Sequence, residues 1–338
     1  MASSPQVLCL GEALVDRLGP PGGDPATAPA AALDDRLGGA PANGACALAR
    51  LGVATAFLGR IGSDAIGGSF QRLFAQRGVD VSALQVDALR PTRIVLVQRD
   101  SAGERRFGGF AGDRGAGFAD QALAAEALVD ALKPLLPAAR WLLVGTIPLA
   151  SPTAAAALRQ AVDRATEAGV QLAVDVNWRP TFWDEQADPA SGPDGPQRLA
   201  ILSLLERAQL IKCAREEACW LFGSADPEAV SRALPRRPAV VVSDGAAPLR
   251  WWLAGRAGEL PAFRVPVIDS TGAGDALTAG LLHGLLASPG LLEPGEAAPV
   301  RELMRFASAC GALVCGGSGA IDPQPDLSTV RTWLQGRA

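Results

Sequence analysis

The sequence predicts an α/β fold, in which crossover helices cover a mainly parallel sheet and a small β-sheet projects from it. Short apolar runs alternate with segments of helical periodicity along most of the 338 residues, a pattern typical of parallel sheets. One pair of strands, at 92–110, interrupts this alternation. A chain of this length, with 49% hydrophobic residues, can bury the core of one large domain.

Each strand is predicted from a short apolar run, and each helix from its spacing of apolar residues or from a start signal. Phe70, Leu73 and Phe74 fall on one helical face, and Ser151-Pro152 is typical of a helix start. The predicted strands cover 6–14, 54–61, 92–99, 104–110, 141–147, 171–176, 210–213, 239–243, 249–253 and 262–268. The predicted helices cover 41–51, 66–77, 152–169, 199–209, 215–222, 273–286, 300–315 and 327–335, and 184–196 is interpreted as a surface loop.

The strands at 92–99 and 104–110 flank the sequence Asp-Ser-Ala-Gly at 100–103, which is typical of a hairpin turn. Because this hairpin does not fit the strand–helix alternation, we expect it to project from the main sheet. A small lid over the binding site is the function that such a projection suggests.

The composition argues against several classes of partner. The net charge is −4 and no run of basic residues occurs, so we expect neither nucleic acid nor a membrane surface as partner. No apolar stretch approaches the roughly 18 residues that span a bilayer. The first residues lack the charged and apolar regions of a signal peptide, and we therefore expect a cytoplasmic protein.

The six cysteines form no C-x-x-C pair, and His283 is the single histidine. This pattern predicts neither a zinc site nor a disulfide framework. We expect reduced thiols that pack as small hydrophobes, and a structural role for His283.

The segment 267–280 carries the strongest chemical signal of the chain. An apolar strand is predicted to end at Ile268 and to turn through Gly272, Ala273 and Gly274 into a helix. Backbone N–H groups and the helix dipole at such a turn attract phosphate. Asp275 would repel a phosphate that is only stored, but it suits a base that deprotonates an attacking hydroxyl. These residues therefore predict a phosphoryl-transfer site.

Three motifs resemble those of the PfkB, ribokinase-like carbohydrate kinases. They are Gly-Gly-Ala-Pro-Ala-Asn at 38–43, Asp-Ser-Thr-Gly-Ala-Gly-Asp at 269–275 and Gly-Arg-Ile-Gly-Ser-Asp at 59–64, with serine at 270 where threonine is common in the family. The resemblance extends over residues 6–325. It implies a ribokinase-like three-layer α/β/α sandwich: a single domain over 1–338, with a lid formed by segments near 14–37 and 90–115.

Two further segments are similar to fructokinases within this family. They are the D-x-N-x-R-x-x-x-W stretch at 175–183 and the opening Gly-Glu-Ala-Leu-Val-Asp at 11–16. The 2-keto-3-deoxygluconate kinases are close relatives. The resemblance therefore implies a sugar kinase and favours fructose as its substrate.

The family pattern implies a sugar site made from several segments. Asp16, expected at the end of the first strand, would accept hydroxyl donors, and Asn43 would offer a donor and an acceptor. Gly38 and Gly39 would let the backbone approach the sugar. The alternatives are a loop or cap role for Asp16 and Asn43, and plain turn chemistry for the glycines. Glu12 is expected to support the strand or a water molecule.

Arg179 and Phe107 are further candidates on the sugar side. Arg179 presents a fixed fork of donors to a substrate oxygen or phosphate, and its alternative is a surface ion pair. Phe107 would cover the sugar and exclude water, or would serve lid packing alone. Asp275 would be the general base, and the amides of Gly272, Ala273 and Gly274 would hold the developing charge.

The resemblance also implies sites for ATP and metal ions. Lys212 resembles the lysine near the phosphates, and Glu217 resembles the residue that organises Mg²⁺ through water, although Ala214 replaces the usual Asn or Ser three residues earlier. The other residues implied near the nucleotide are Ser243, Gly245 and Ser308, together with Gly272 and Gly274. A possible K⁺ loop comprises Asp269, Thr271, Val314, Gly317 and Gly319, with an ion-free turn as its alternative.

The sequence thus predicts ATP-dependent phosphorylation of a primary hydroxyl, converting D-fructose to fructose 6-phosphate. A 2-keto-3-deoxygluconate kinase or a ribokinase is the alternative enzyme, and an inactive binding or scaffold protein is the alternative from another class. The chain lacks the P-loop motif and an early G-x-G-x-x-G, which excludes two other nucleotide-binding classes. Both a monomer and a lid-mediated homodimer agree with the pattern.

Overall fold

The computed structural model describes residues 4–100 and 105–337, which form two separate β-sheets and the helices that cover them. The predicted turn residues 101–103, and residue 104 at the start of a predicted strand, lie outside the described residues. The strands are β1 (Val7–Leu10), β2 (Leu14–Pro21), β3 (Asp34–Gly38), β4 (Thr55–Gly62), β5 (Leu84–Asp87), β6 (Ile94–Arg99), β7 (Arg105–Ala111), β8 (Trp141–Val144), β9 (Gln171–Asp175), β10 (Leu210–Ala214), β11 (Ala239–Ser243), β12 (Leu249–Leu253) and β13 (Arg256–Leu260).

The helices lie mostly between consecutive strands of the larger sheet. They are α1 (Ala40–Arg50), α2 (Ala65–Arg77), α3 (Ala125–Leu132), α4 (Pro152–Glu167), α5 (Pro180–Trp183), α6 (Gly195–Leu205), α7 (Arg215–Phe222), α8 (Pro227–Arg232), α9 (Ala273–Ala287), α10 (Ala298–Val314) and α11 (Leu327–Gln335). None of the helices within 4–100 and 105–337 is long and apolar enough to cross a membrane.

The larger sheet has nine strands in the order β13-β12-β11-β10-β9-β8-β1-β4-β5. The strands from β11 to β5 run parallel, whereas β12 and β13 are antiparallel to their neighbours. In the central strand β1, Val7 lies opposite Thr55 of β4 and Trp141 of β8. The parallel strands therefore end together on one edge of the sheet.

Both faces of this sheet are buried, as is usual for parallel sheets. Val7 and Cys9 pack with α1, α9 and α10 on one face, and Leu8 and Leu10 pack with α3, α4 and α6 on the other. Successive side chains of a strand point to opposite faces, so β1 contributes to two separate apolar cores. The predicted three-layer α/β/α architecture is confirmed.

The smaller sheet has four strands in the order β3-β2-β6-β7. The pair β2–β6 is parallel, with Asp16 opposite Val95, and the two outer pairs are antiparallel. Its strands come from two segments of the chain, 14–38 and 94–111, that the larger sheet separates.

Two buried polar contacts fasten the smaller sheet to the body of the molecule. Asp64, at the start of α2, accepts hydrogen bonds from the amide and the hydroxyl of Thr92 at 2.6 and 3.0 Å. Arg93 pairs with Asp120 at 2.9 Å, and its guanidinium lies within 5 Å of the ring centroids of Phe110, Phe118 and Phe182. The motif at 59–64 thus has a structural role at the base of this sheet.

The prediction of one strand over 6–14 is wrong. The strand β1 ends at Leu10, and β2 begins at Leu14 in the other sheet. Gly11 has a φ of 153°, and a Cβ atom at this residue would lie 2.5 Å from Cγ of Pro41. The chain therefore crosses between the sheets at this glycine, and Asp16 lies within β2 rather than at the end of the first strand.

The strand predicted over 262–268 is also wrong. The real strand, β13, forms a hairpin with β12 around Ala254 and Gly255, whose φ values are 45° and 86°, as a two-residue hairpin turn requires. The following segment is irregular, and Val267 and Ile268 are 64% and 69% exposed. Two prolines within 261–266 remove backbone donors, which disfavours a ladder there.

Helix α6 begins four residues before its predicted start at 199. Asp194 caps the helix by accepting a hydrogen bond from the amide of Gln197, and the Gln197 side chain accepts one from the amide of Asp194, both at 2.9 Å. This reciprocal capping box stabilises the first turn, so the polar segment that we interpreted as a loop ends at Asp194.

The two-core arrangement predicts the cost of a cavity in β1. Leu8→Ala should lower the free energy of unfolding by about 2–5 kcal/mol, because Leu8 is fully buried and its surroundings relax only in part. Leu199→Ala is the matched control, since Leu199 is 66% exposed and should change stability by less than about 0.5 kcal/mol. Urea unfolding measures both variants, and equal effects would contradict the assignment of the core.

Candidate active site

A cleft of about 610 Å³ lies between the smaller sheet and the residues that follow the parallel strands. Glu12 follows β1, Arg179 follows β9 and Lys212 lies on β10, while Asp16 and Phe107 face the cleft from the smaller sheet. Ligands of open α/β sheets bind at this edge. The wall also includes Leu14, Gly39, Ala40, Asn43, Val95, Val97, Arg106, Ile147, Asn177, Pro180, Thr181, Phe182, Pro189, Ser270, Thr271, Gly272, Gly274 and Asp275.

Asp275 lies on this wall in the first turn of α9. Its Oδ2 accepts a hydrogen bond from Nδ2 of Asn43 at 2.8 Å, which joins α9 to α1. The pKa of Asp275 is raised to about 6: burial and the carboxylate of Asp175 raise it, and the Asn43 hydrogen bond, Lys212 and Arg179 act in the opposite direction. Such a carboxylate is ionised at neutral pH and is still basic enough to accept a proton.

The turn before α9 leaves two backbone amides free for a ligand. The N–H groups of Gly272 and Gly274 have no hydrogen-bond partner among the described residues, whereas that of Ala273 donates to the carbonyl of Ser270 at 3.2 Å. The sequence pattern predicts that all three amides hold charge. Ala273 is also absent from the cleft wall, so the geometry favours Gly272 and Gly274.

Lys212 lies beside this turn. Its Nζ is 3.1 Å from Oδ1 of Asp175, and a Cβ atom at Gly274 would lie only 2.8 Å from the same Nζ. Burial opposes the charge of Lys212, but Asp175, Glu217 and Asp275 outweigh it and raise the pKa. A permanent cation is therefore held next to the free amides.

Asp175 is the first residue of the D-x-N-x-R-x-x-x-W segment, and no role was predicted for it from the sequence. It ends β9 and is buried, with Oδ2 accepting a hydrogen bond from Thr278 of α9 at 2.9 Å. Through Lys212 and Thr278 it holds β10 and α9 in place. The signal that was available was an acidic residue at the end of a buried strand.

Glu217 does not reach the cleft wall. Its two carboxylate oxygens accept the amides of Trp178 and Ala214, each at 2.7 Å, and the side chain is buried. It therefore braces the loop after β9 against the start of α7. Because Glu217 accepts the amide of Ala214, helix α7 keeps one half of a capping box although alanine offers no side-chain cap.

Five residues besides Asp275 and Gly38 were predicted for the sugar side, and all five lie on the wall of this cleft: Asp16, Gly39, Asn43, Phe107 and Arg179.

The surroundings of the predicted sugar-side residues differ from one residue to the next. Gly39 has a φ of 99°, and a Cβ atom there would lie 2.5 Å from the carbonyl oxygen of Glu12. Gly38 lies outside the wall, in van der Waals range of Asp16. Arg179 forms no ion pair with the described residues and donates to the carbonyl of Trp178 at 2.8 Å. Phe107 packs against Phe110.

The predicted nucleotide residues Ser243, Gly245 and Ser308 do not line this cleft. Ser243 ends β11 and Gly245 occupies the following turn with a φ of 53°, while Ser308 lies on α10. Of the residues predicted for the nucleotide, the cleft contains Lys212, Gly272 and Gly274.

The predicted K⁺ loop is held together by Asp269. Its Oδ1 accepts hydrogen bonds from the amide and hydroxyl of Thr271 at 3.0 and 2.7 Å, and its Oδ2 accepts the amide of Gly319 at 2.8 Å. Val314 ends α10, and its carbonyl accepts the amide of Gly317 at 3.2 Å. The two segments predicted to form the loop are thus adjacent, with one buried carboxylate between them.

Comparison with known proteins places this geometry in context. Residues 4–327 match the sequence profile described as "pfkB family carbohydrate kinase". The chain is 34% identical over 335 residues to an Arabidopsis thaliana protein named "Probable fructokinase-6, chloroplastic". The aligned region covers 98% of this chain and 83% of that protein.

Two solved structures share the fold over almost the whole chain. A fructokinase from Xylella fastidiosa with bound ATP has a TM-score of 0.82 at 30% identity, with 98% of both chains covered. A double mutant of fructokinase from Vibrio cholerae O395, in a form with fructose, ADP and potassium ion bound, has a TM-score of 0.79 at 28% identity, with 99% of both chains covered.

A substitution at Gly272, in the turn before α9, tests whether a side chain there would clash with its neighbours. Gly272→Ala should lower the free energy of unfolding by about 1–2 kcal/mol because of its left-handed φ of 79°. The clash should lower it by about 1–3 kcal/mol more, because the new Cβ atom would lie 2.6–2.7 Å from Ala320. Gly22→Ala is the control, since Gly22 has a φ of 72° and open space around it. Equal losses of unfolding free energy in the two variants would show that the predicted clash is absent.

Proposed function

Because the chain belongs to the pfkB family of carbohydrate kinases and is a sugar kinase, we propose that it phosphorylates D-fructose with ATP to form fructose 6-phosphate. The similarity to fructokinases, including one with fructose bound, supports the choice of sugar. The observation that carries the proposed chemistry is the position of Asp275 beside two free amides and the cation of Lys212.

In this mechanism Asp275 accepts the proton of the primary hydroxyl of fructose as that oxygen attacks the γ-phosphorus of ATP. The new P–O bond forms while the bond to the β–γ bridging oxygen breaks, and ADP leaves. The amides of Gly272 and Gly274 and the ammonium of Lys212 neutralise charge on the migrating phosphoryl group. These donors cost no reorganisation, since the fold already holds them in place.

The remaining cleft residues would bind and cover the sugar. Asp16 and Asn43 offer oxygens to its hydroxyls, Gly39 admits the backbone approach, Arg179 donates to a sugar or phosphate oxygen, and Phe107 covers the site from the smaller sheet. Gly38 lies close to Asp16, since a Cβ atom built on this glycine would lie 3.4 Å from Oδ2 of Asp16, and would leave room for the aspartate and the sugar. All of these residues come from one chain, so the proposed site does not require a second subunit.

The six cysteines are free thiols, which supports a reducing, cytoplasmic setting for the proposed enzyme.

Metal ions would add positive charge around the phosphates. Each carboxylate oxygen of Glu217 accepts one amide and keeps further acceptor capacity, which fits a residue that holds Mg²⁺ through water. Asp269, with Thr271, Val314, Gly317 and Gly319, would hold K⁺ beside the anion turn. Ser243, Gly245 and Ser308 would contact the nucleotide outside the sugar cleft.

One observation favours a second candidate, a 2-keto-3-deoxygluconate kinase. Arg106 of β7 lies on the same cleft wall as Arg179. It was not among the residues predicted from the sequence for this site. Two guanidinium groups could bind a substrate carboxylate, which fructose lacks. The second candidate therefore differs from the first in the charge of its substrate.

A sugar panel tests the proposed activity. We expect D-fructose to have the highest kcat/KM among D-fructose, 2-keto-3-deoxy-D-gluconate and D-ribose, measured by ADP release with ATP and Mg²⁺. The product of the fructose reaction should be the 6-phosphate rather than the 1-phosphate. A higher kcat/KM for the keto-acid would establish the second candidate, and no turnover of any sugar would support an inactive binding protein.

The base assignment predicts a rate and a pH profile. Asp275→Asn should lower kcat by about 10²–10⁴-fold while keeping the hydrogen bond to Asn43. In the wild type, kcat/KM should fall below about pH 6, because protonated Asp275 cannot accept the hydroxyl proton and its pKa is about 6. Asp130→Asn, at an exposed position, should keep the wild-type rate and profile. Undiminished turnover in Asp275→Asn would refute the assignment.

A further inference from the structure

Glu12 occupies the crossing between the two sheets, and the mechanism above does not use it. It is 2% exposed, yet it forms part of the cleft wall. Its Oε1 accepts the amide of Ala40, the first residue of α1, at 3.0 Å. Its Oε2 has no hydrogen-bond partner within residues 4–100 and 105–337.

Asn43 presents a second unpartnered oxygen in the same cleft. Its Nδ2 donates to Asp275, and its Oδ1 has no partner among the described residues, although the side chain is buried. Buried polar atoms in folded proteins are nearly always paired. Glu12 and Asn43 both line this cleft, and each holds one buried oxygen without a partner among the described residues. A ligand with several hydroxyl groups that settles against these two side chains would complete their hydrogen bonding.

The charge state of Glu12 determines what it offers to that ligand. The pKa of Glu12 is raised to about 8: burial is the main cause, the carboxylates of Asp120 and Asp275 add to it, and the amides of Glu12 and Ala40 act in the opposite direction. Asp120 is paired with Arg93. The other charged groups of the cleft wall are Asp16, Arg106, Arg179 and Lys212. The raised pKa favours the neutral carboxyl group at pH 7. Because Oε1 already accepts the amide of Ala40, Oε2 is the oxygen that would hold the proton.

A donor at this position complements its neighbours. Asp16, Asp275 and Oδ1 of Asn43 all accept hydrogen bonds, and the Nδ2 donor of Asn43 is already bonded to Asp275. A sugar hydroxyl that donates to one of these acceptors keeps its own lone pairs, and Oε2–H of Glu12 can satisfy one of them.

We propose that Glu12 is a sugar-binding residue, anchored through Oε1 on Ala40, whose Oε2 donates a hydrogen bond to a hydroxyl oxygen of the acceptor other than the reacting one. This inference rests on the proposed sugar kinase activity, and it adds a residue and a proton requirement to the sugar site. It also explains why a carboxyl group lies buried near Asp275 without an ion pair to any of the described residues.

The test compares the pH dependence of sugar binding in the wild type and in Glu12→Gln. In the wild type, the Kd for D-fructose, measured by calorimetry without nucleotide, should rise about tenfold between pH 7 and pH 9, because Glu12 loses its proton. In Glu12→Gln the amide still donates but does not titrate, so the Kd should change less than about twofold over this range. Glu206→Gln, at an exposed position, should reproduce the wild-type curve.

A second variant separates binding from folding. Glu12→Leu should raise the KM for fructose about tenfold or more at pH 7, with the KM for ATP nearly unchanged, because both hydrogen bonds of the carboxyl group are lost. The Glu12→Gln comparison remains decisive even if Glu12→Leu does not fold.

The outcomes distinguish this proposal from the proposed function. If the wild type phosphorylates no sugar, the proposed function fails, and the role of Glu12 fails with it. If the wild type is active but Glu12→Gln keeps the same alkaline rise in Kd, another group titrates and only the Glu12 proposal is overturned. Equal changes in the KM for fructose and for ATP would likewise show a structural role alone.

Discussion

The site depends on the burial of two carboxylates, Asp175 and Asp275, beside one ammonium group, that of Lys212. Lys212 pairs directly with Asp175, so Asp275 receives only part of its stabilisation and its pKa remains high. The same arrangement holds three elements together, since Asp175 ends β9, Lys212 lies on β10 and Thr278 of α9 bonds to Asp175. The electrostatics of the proposed reaction and the packing of the sheet edge thus depend on the same contacts.

Close backbone approaches give these side chains their positions. At Gly39 and Gly272, a side chain would collide with the backbone of Glu12 or with Ala320, and both residues have left-handed φ values. Gly39 starts α1, which carries Asn43, and Gly272 starts α9, which carries Asp275. Because each helix begins at such a glycine, the Asn43–Asp275 hydrogen bond joins two helix ends that have little freedom to move apart.

Local sequence signals predicted most of the larger sheet. The strands at 210–213 and 239–243 were recognised because their apolar runs are buried on both sides. The run at 262–268 was wrongly predicted as a strand, because Pro261 precedes it and Pro266 interrupts it, which disfavours a ladder there. The residues Asp194 and Gln197, which form a capping box, would have indicated the true start of α6. The two-residue turn at Ala254 and Gly255 was not recognised, so β13 was not predicted.

The site was predicted largely through the family resemblance rather than from local patterns. Asn43 and Asp275 lie 232 positions apart in the chain, and no periodicity brings them together. The roles of Asp175 and Glu12 depend on partners from distant segments, namely Lys212 and Thr278 in one case and Ala40 in the other. Long-range hydrogen bonds of this kind become visible only when the fold is known.

The smaller sheet unites strands that are far apart in the sequence, since β2 and β6 pair across about 80 residues of intervening chain. The chain between them is itself folded and contributes β4 and β5 to the larger sheet, so that sheet holds the starting points of both strands. The smaller sheet buries only Val15, Ile94 and Leu96 in a cluster of its own, whereas the larger sheet has two extensive cores. We therefore expect the smaller sheet to open as a unit of lower stability. Solvent access to the sugar cleft and hydrogen exchange of β2 and β6 would then report the same opening event.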